Sequence, residues 1–216
     1  MVKKKTKLGK INTLRPKIAF SKDAWDDIQT IIKLNPKTEV TFHGEVFFLP
    51  GNTYLVDRIY VFRQFVSSVH VEIALDGNGT MSEYIEKIAT GAEIDDYEWE
   101  LSTDKCFNFP PRFFFHGHLH PGTLLEHSSV DTNGYLGIHE QLPYFIDAIF
   151  TRDGKSRFWF YGMGGFITIT DMPFKIENNS NLSINERKER DQLIARLISE
   201  RVISTSTPGG HYGKTT

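Results

Sequence analysis

The sequence predicts an α+β or mixed α/β fold. A helical pattern lies near the amino end, several short strand-like stretches fill the middle, and a long charged helical pattern lies near the carboxyl end. The chain has 216 residues, of which 39% are hydrophobic and 24% are charged. These values are typical of one ordinary globular domain with short tails.

The first predicted helix covers residues 22–34. Ile28 and Ile31 recur at helical spacing, and Ser21 is well placed to cap the amino end of the helix. Pro36 disfavours helical backbone in the residue before it, so the helix is expected to end there.

The remaining elements follow from alternation and from turn residues. Alternating or aromatic-rich segments predict strands over residues 40–48, 54–62, 69–75, 144–151, 157–161 and 166–169, with another that opens near residue 113. Helical patterns predict further helices over residues 82–89, 129–142 and 184–203.

The chain divides into three parts on composition. We expect a basic flexible tail over residues 1–15, a main domain over 16–175, and a charged helix with a flexible tail over 176–216. Within the main domain, residues 91–104 carry six carboxylates and no basic residue. This acidic insert is either a solvated loop or a docking surface for a basic partner.

The overall charge limits the classes of partner. The chain has 25 basic and 27 acidic residues, for a net charge of -2, so neither a nucleic-acid partner nor an anionic membrane is expected. No run approaches the ~20 apolar residues that a spanning helix needs. The single cysteine, Cys106, excludes a disulfide within the chain and a zinc site of several cysteines, and it favours a cytoplasmic location.

The most informative segment is a run of alternating histidines. His116, His118 and His120 project from the same face of a strand, where two neighbouring imidazoles can chelate one metal ion. Asp131 follows, with Ser128 three residues before it on the same face of a predicted helix. Two imidazoles and one carboxylate leave a position for water, as in catalytic zinc sites. Solvent-facing histidines, with Ser128 as a cap and Asp131 as a first-turn carboxylate, are the alternative.

This pattern resembles the signature of the JAMM (MPN-plus) zinc metalloproteases, in particular the prokaryotic or phage type with a JAB domain. Residues 118–121 read His-Leu-His-Pro and residues 128–131 read Ser-Ser-Val-Asp, at the spacing that the family uses. Leu119 departs from the usual Ser or Thr, but it points to the opposite face of the strand. Counting from His116 instead places Glu126 where the family needs serine, so that register fails.

The family also uses a glutamate from an early strand, and the segment around Glu39 resembles that region. Glu45 is a competitor on the same face, but the two residues lie about 20 Å apart along a strand, so only one can reach the metal-bound water. We favour Glu39, because it follows the first helix and Pro36. If Glu39 has no role in the site, it is simply an exposed carboxylate at a strand edge.

The resemblance implies a JAB-like (MPN) fold, a central mixed β-sheet flanked by helices with a cytidine-deaminase-like architecture. It implies that His118, His120 and Asp131 hold Zn²⁺, and that Glu39 and Ser128 are catalytic. His116 would support the metal ligands through a hydrogen bond.

The implied reaction is hydrolysis of an amide or isopeptide bond in a protein or peptide substrate, with a ubiquitin-like conjugate as one candidate. A catalytically idle scaffold of the same fold, and a general peptidase or amidase without ubiquitin-like substrates, remain open as alternatives.

Overall fold

The structure is a computed structural model that describes residues 15–35, 37–74, 80, 83, 113–127, 142–163 and 166–205. Two predicted features lie outside these residues: the acidic insert at 91–104 and the helix at 129–142. The helix predicted at 82–89 also lies outside them, apart from Glu83, whose backbone N–H donates to Thr80 Oγ1 at 3.2 Å.

In chain order, the described elements are β1 (Lys17–Phe20), α1 (Lys22–Leu34), β2 (Val40–Leu49), β3 (Thr53–Tyr60), β4 (Gln64–Val66), β5 (Val71–Ile73), β6 (Phe113–His120), β7 (Tyr144–Thr151), β8 (Ser156–Gly162), β9 (Ile167–Thr170), β10 (Phe174–Ile176), α2 (Ile184–Arg201) and β11 (Val202–Ser204). Eight strands form one sheet in the order β10-β1-β3-β2-β6-β7-β8-β9, and a smaller sheet has the order β11-β4-β5. The larger sheet is mixed, because β1 runs parallel to β3 and β10, and β6 runs parallel to β7.

The predicted fold class is wrong. Within the described residues the protein is mostly β, with two helices, and it is not the helix-flanked α+β sheet of the MPN type. The sequence patterns missed β1, β4, β10 and β11. These segments are three or four residues long, too short to show a clear alternation, and they become strands because a neighbouring strand supplies their backbone partners.

Both predicted helices at the ends of the fold are present. The Ser21 hydroxyl accepts a hydrogen bond from the Ala24 backbone N–H at 3.2 Å, which caps α1. A capping box formed by Ser183 and Glu186 begins α2. This helix ends two residues before the predicted limit, because Val202 pairs with Gln64 of the smaller sheet. Neither described helix is long and apolar enough to cross a membrane.

The two faces of the larger sheet differ in chemistry. Phe42, Phe115 and Phe150 lie on one face, fully buried with Ile28 and Ile31 of α1 in the hydrophobic core. The residues that alternate with these phenylalanines along the strands, including Thr41 on β2 and His116 on β6, face the other way. Alternation along the strands therefore separates an apolar face, which α1 covers, from a polar face.

Glycine is required at position 117, where β6 approaches the ring of Phe42. A Cβ at this position would lie 2.4 Å from Phe42 Cε2. Because Phe42 is itself packed against Phe150, with ring centroids 5.5 Å apart, its ring has little room to move. We expect Gly117→Ala to lower the free energy of unfolding by about 1–3 kcal/mol through overpacking.

Urea unfolding at equilibrium measures this change. Gly122→Ala is the matched control, because an added Cβ there meets nothing within 4 Å, and its stability should stay close to that of the wild type. Equal midpoints for the two variants would contradict the close approach of β6 to Phe42.

The two helices contact each other through a buried ion-pair cluster. Asp27 of α1 receives Arg187 Nη2 at 2.8 Å on Oδ1 and Arg190 Nη2 at 2.9 Å on Oδ2. Arg190 also donates to the carbonyl of Ile59 in β3. The terminal helix is thus joined to α1 and to the sheet, while the predicted division of the chain at residue 175 stays a prediction.

Removing the carboxylate of this cluster should be strongly destabilising. Asp27→Ala leaves the buried guanidinium of Arg190 without its counter-charge, so we expect the free energy of unfolding to fall by about 3–5 kcal/mol. Asp26→Ala is the control, because its ion pair with Lys22 is more exposed, and it should cost about 1 kcal/mol or less. Thermal unfolding of both variants checks the difference, and equal losses would argue against a buried ion pair.

Candidate metal centre

The polar face of the sheet gathers histidines from neighbouring strands. On β6, His116 pairs in register with His43 of β2 and with Asp147 of β7. Residues in register on adjacent strands share a face, so these side chains converge. The exposed fractions of His116, His118 and Asp147 are 0%, 1% and 0%. A group of titratable residues is therefore buried here, away from the hydrophobic core.

His118 and His120 present ring nitrogens to each other. Their Nε2 atoms lie 2.8 Å apart, and the Nδ1 of His120 lies 2.7 Å from the backbone carbonyl of Leu124. Because a carbonyl oxygen only accepts hydrogen bonds, Nδ1 of His120 carries the proton and its Nε2 presents a lone pair to His118. Two nitrogens at this distance are within hydrogen-bond reach of each other, and a carbonyl partner on the far nitrogen is typical of histidines that bind metals.

His116 is hydrogen-bonded at both ring nitrogens. Its Nδ1 lies 2.8 Å from Asp147 Oδ1, and its Nε2 contacts the hydroxyl of Thr41. Burial raises the pKa of the Asp147 carboxyl, but the hydrogen bond from His116 and the nearby histidine charges outweigh it, so the net pKa lies below its ordinary value. Asp147 is thus an ionised acceptor, and His116 donates to it from Nδ1.

His127 completes the cluster from the loop that follows β6. Its Nε2 lies 3.1 Å from Asp147 Oδ2, and its ring centroid lies 4.2 Å from that of Trp159 on β8. The ring centroid of His127 is also 5.9 Å from that of His118. The loop therefore returns to the histidine face of the sheet immediately before Ser128.

His116, His118 and Asp147 form a buried group that could bind a metal ion. One ligand atom from each lies within 4.8 Å of the other two. Imidazole nitrogens and a carboxylate oxygen are donors that zinc and other divalent transition metals accept. This donor set fits a metal ion.

The two candidate glutamates lie in different surroundings. Val40 pairs with Leu119 and Thr41 pairs with His118, so continuing this register one residue places the backbone of Glu39 opposite His120. By contrast, Glu45 lies beyond a bulge and receives Arg58 Nη1 at 3.1 Å. Burial raises the pKa of Glu45 in spite of Arg58. Glu45 is thus held in a buried ion pair near the middle of β2.

Two of the predicted site residues, Ser128 and Asp131, lie outside the described residues. Their assignment as oxyanion donor and metal ligand stays a prediction. Sequence reasoning missed Asp147 and His127. A signal for Asp147 existed, since it is the one charged residue in the strand Tyr-Phe-Ile-Asp-Ala-Ile-Phe-Thr, and an isolated charge in a buried strand requires a partner.

Comparisons with known proteins add little to this geometry. No protein-family model matches the chain, and no curated protein is similar to it in sequence. Among solved structures, the chain is similar to protein DSY2949 from Desulfitobacterium hafniense, a structural genomics target solved in solution, with 13% sequence identity and a TM-score of 0.42. The match covers 76% of this chain and 95% of that one. A likeness at this level carries no inference about family or activity.

Proposed function

We propose that the protein is a zinc-dependent hydrolase of amide bonds, with His118 and His120 as two of its metal ligands. The observation that carries this proposal is the pair of Nε2 atoms 2.8 Å apart, with the far nitrogen of His120 on the Leu124 carbonyl. The described strand alone supplies both imidazoles. Asp131 is proposed as the third ligand, since two histidines and a carboxylate leave the open position of a catalytic site.

The choice of ligands follows from the hydrogen bonds already formed. His116 uses both ring nitrogens, for Thr41 and Asp147, so metal binding at Nδ1 would displace the proton that this nitrogen donates. Metal binding at His118 and His120 would displace only the proton that their two Nε2 atoms share. We therefore place the metal at His118 and His120 and treat Asp147 as the rival third ligand.

The proposed reaction adds water across the amide bond, so that the carbonyl carbon gains OH and the amine gains H. Zinc, when bound, supplies a Lewis acid and lowers the pKa of a coordinated water towards about 7. Glu39, which directly precedes the Val40–Leu119 pair of β2 and β6, accepts the proton of the attacking water and passes it to the leaving amine. Ser128 donates a hydrogen bond to the developing oxyanion, which is typically worth about 3 kcal/mol.

The proposed substrate class rests on the JAMM-like order of glutamate, paired histidines, serine and aspartate along the chain. It does not rest on the MPN fold, which the described residues do not adopt. Within this class we favour a protein or peptide substrate, with isopeptide-linked ubiquitin-like conjugates as the candidate to test first.

The decisive experiment uses the purified 216-residue chain. We expect about one zinc ion per chain by elemental analysis, cleavage of either a peptide library or ubiquitin-like conjugates, loss of cleavage with a chelator, and recovery on adding Zn²⁺. Cleavage that a chelator leaves intact would contradict the metal-dependent mechanism. Bound zinc without hydrolysis of any of these substrates would instead support the scaffold alternative.

A further inference from the structure

Asp147 contacts imidazoles that belong to two different parts of the candidate centre. Its Oδ1 lies 2.8 Å from His116 Nδ1, and its Oδ2 lies 3.1 Å from His127 Nε2. The backbone N–H of Ala148 donates to the same Oδ1 at 2.9 Å, which fixes the rotation of the carboxylate. The two hydrogen bonds to Oδ1 and the charge contact of Oδ2 with His127 offset the cost of burying this carboxylate.

The two contacted residues each lead to a predicted functional group. His116 lies two residues before His118 on the same face of β6, and His127 directly precedes Ser128. The loop between them is held at two further points. Its Leu124 carbonyl accepts from His120, and the Arg157 guanidinium contacts the Leu125 carbonyl at 3.4 Å.

The hydrogen bonds of His116 favour a supporting role for Asp147 over direct binding of the metal. An ionised carboxylate only accepts, so Nδ1 of His116 is the donor, while its Nε2 faces the Thr41 hydroxyl, which also lies 3.3 Å from the Gly117 carbonyl. This arrangement satisfies both ring nitrogens without a cation. It also fixes the ring of His116 beside that of His118, with centroids 5.6 Å apart.

We propose that Asp147 is a positioning residue that holds the histidine strand β6 and the loop ending at His127 in one fixed arrangement. The inference rests on the proposed function, in which His118 and His120 hold the metal. Carboxylates that support metal-binding histidines typically change metal affinity by about 10–100-fold when they are replaced. Asp147 differs from the usual case because the two imidazoles that it contacts are not proposed ligands but neighbours of His118, with ring centroids 5.6 and 5.9 Å from that of His118.

The test compares Asp147→Asn with Ile149→Val, a conservative change on the same buried face of β7 opposite His118. Asp147→Asn keeps an oxygen acceptor for His116 but removes the negative charge that His127 Nε2 contacts at 3.1 Å. We expect it to bind zinc stoichiometrically at saturation with about 10–100-fold weaker affinity. With a short peptide substrate, kcat should fall while KM stays near the wild-type value. Ile149→Val should change neither zinc affinity nor kcat.

A nuclear magnetic resonance readout separates positioning from simple packing. In ¹⁵N-labelled protein without metal, the imidazole of His116 should be the Nδ1–H tautomer, and Asp147→Ala should remove this preference. Three results would overturn the proposal: an Nε2–H tautomer in the wild type, unchanged zinc affinity in Asp147→Asn, or complete zinc loss in Asp147→Asn while Asp131→Asn keeps zinc. The last result would make Asp147 a ligand. Failure of the proposed function is distinct, because it would appear as full zinc retention in His118→Ala.

Discussion

Replacing His118 by alanine should reduce bound zinc from about one ion per chain to none. His118 takes part in both metal arrangements that the cluster allows, since its Nε2 lies 2.8 Å from that of His120 and it also belongs to the group with His116 and Asp147. Without His118, each arrangement keeps too few donors for tight binding, because His120 loses its paired imidazole and the group of His116 and Asp147 loses its third member. Elemental analysis after dialysis against metal-free buffer measures the loss.

The matched control for this variant is His70→Ala. His70 is exposed, and its described contacts with Ser67 involve only its backbone carbonyl. It should keep the zinc content of the wild type. Because His118 is buried, circular dichroism of both variants is needed to show that each is folded. Full zinc content in folded His118→Ala would reject the site on β6.

Glu39→Gln should retain zinc and lose hydrolysis by about 10²–10⁴-fold in kcat. Glutamine has nearly the shape of glutamate but cannot take a proton from water at neutral pH. Glu39 contributes no proposed ligand, so its replacement should leave the metal in place. Steady-state kinetics on a cleavable peptide, with zinc content measured on the same sample, tests both parts of this expectation.

Glu45→Gln provides the comparison, because it removes a carboxylate from the same strand. Its contact is with Arg58, at 3.1 Å, and it pairs with Phe113, at the opposite end of β6 from His120. We expect lower stability, because a buried guanidinium loses its counter-charge, but most of the activity per folded molecule. If Glu45→Gln is inactive and Glu39→Gln is active, the assignment of the proton acceptor is wrong.

The position of Glu39 depends on how β2 pairs with β6. Alternation alone allowed either glutamate to serve, since both were expected on one strand face. The pairing of Thr41 with His118 decides which end of β2 lies beside the histidines. That choice depends on a contact between segments far apart in sequence, and no local pattern encodes it.

The local sequence by itself determined several features of the protein. The helix at residues 22–34 followed from apolar spacing and a serine cap, both of which act within one or two turns. The common direction of His116, His118 and His120 followed from the two-residue repeat of a strand. These features depend only on backbone geometry over a few residues, so the sequence was enough to predict them.

Only the tertiary structure decided the strand-rich architecture and the partners of the histidines. Segments such as β1 and β10 have too few residues to favour a strand alone, and they form one because they pair with each other. Asp147 meets His116 because β7 lies parallel to β6 in a register that places the two opposite each other. Their contact is set by strand pairing and by the high cost of a buried unpaired carboxylate, both of which are properties of the folded chain and not of either segment.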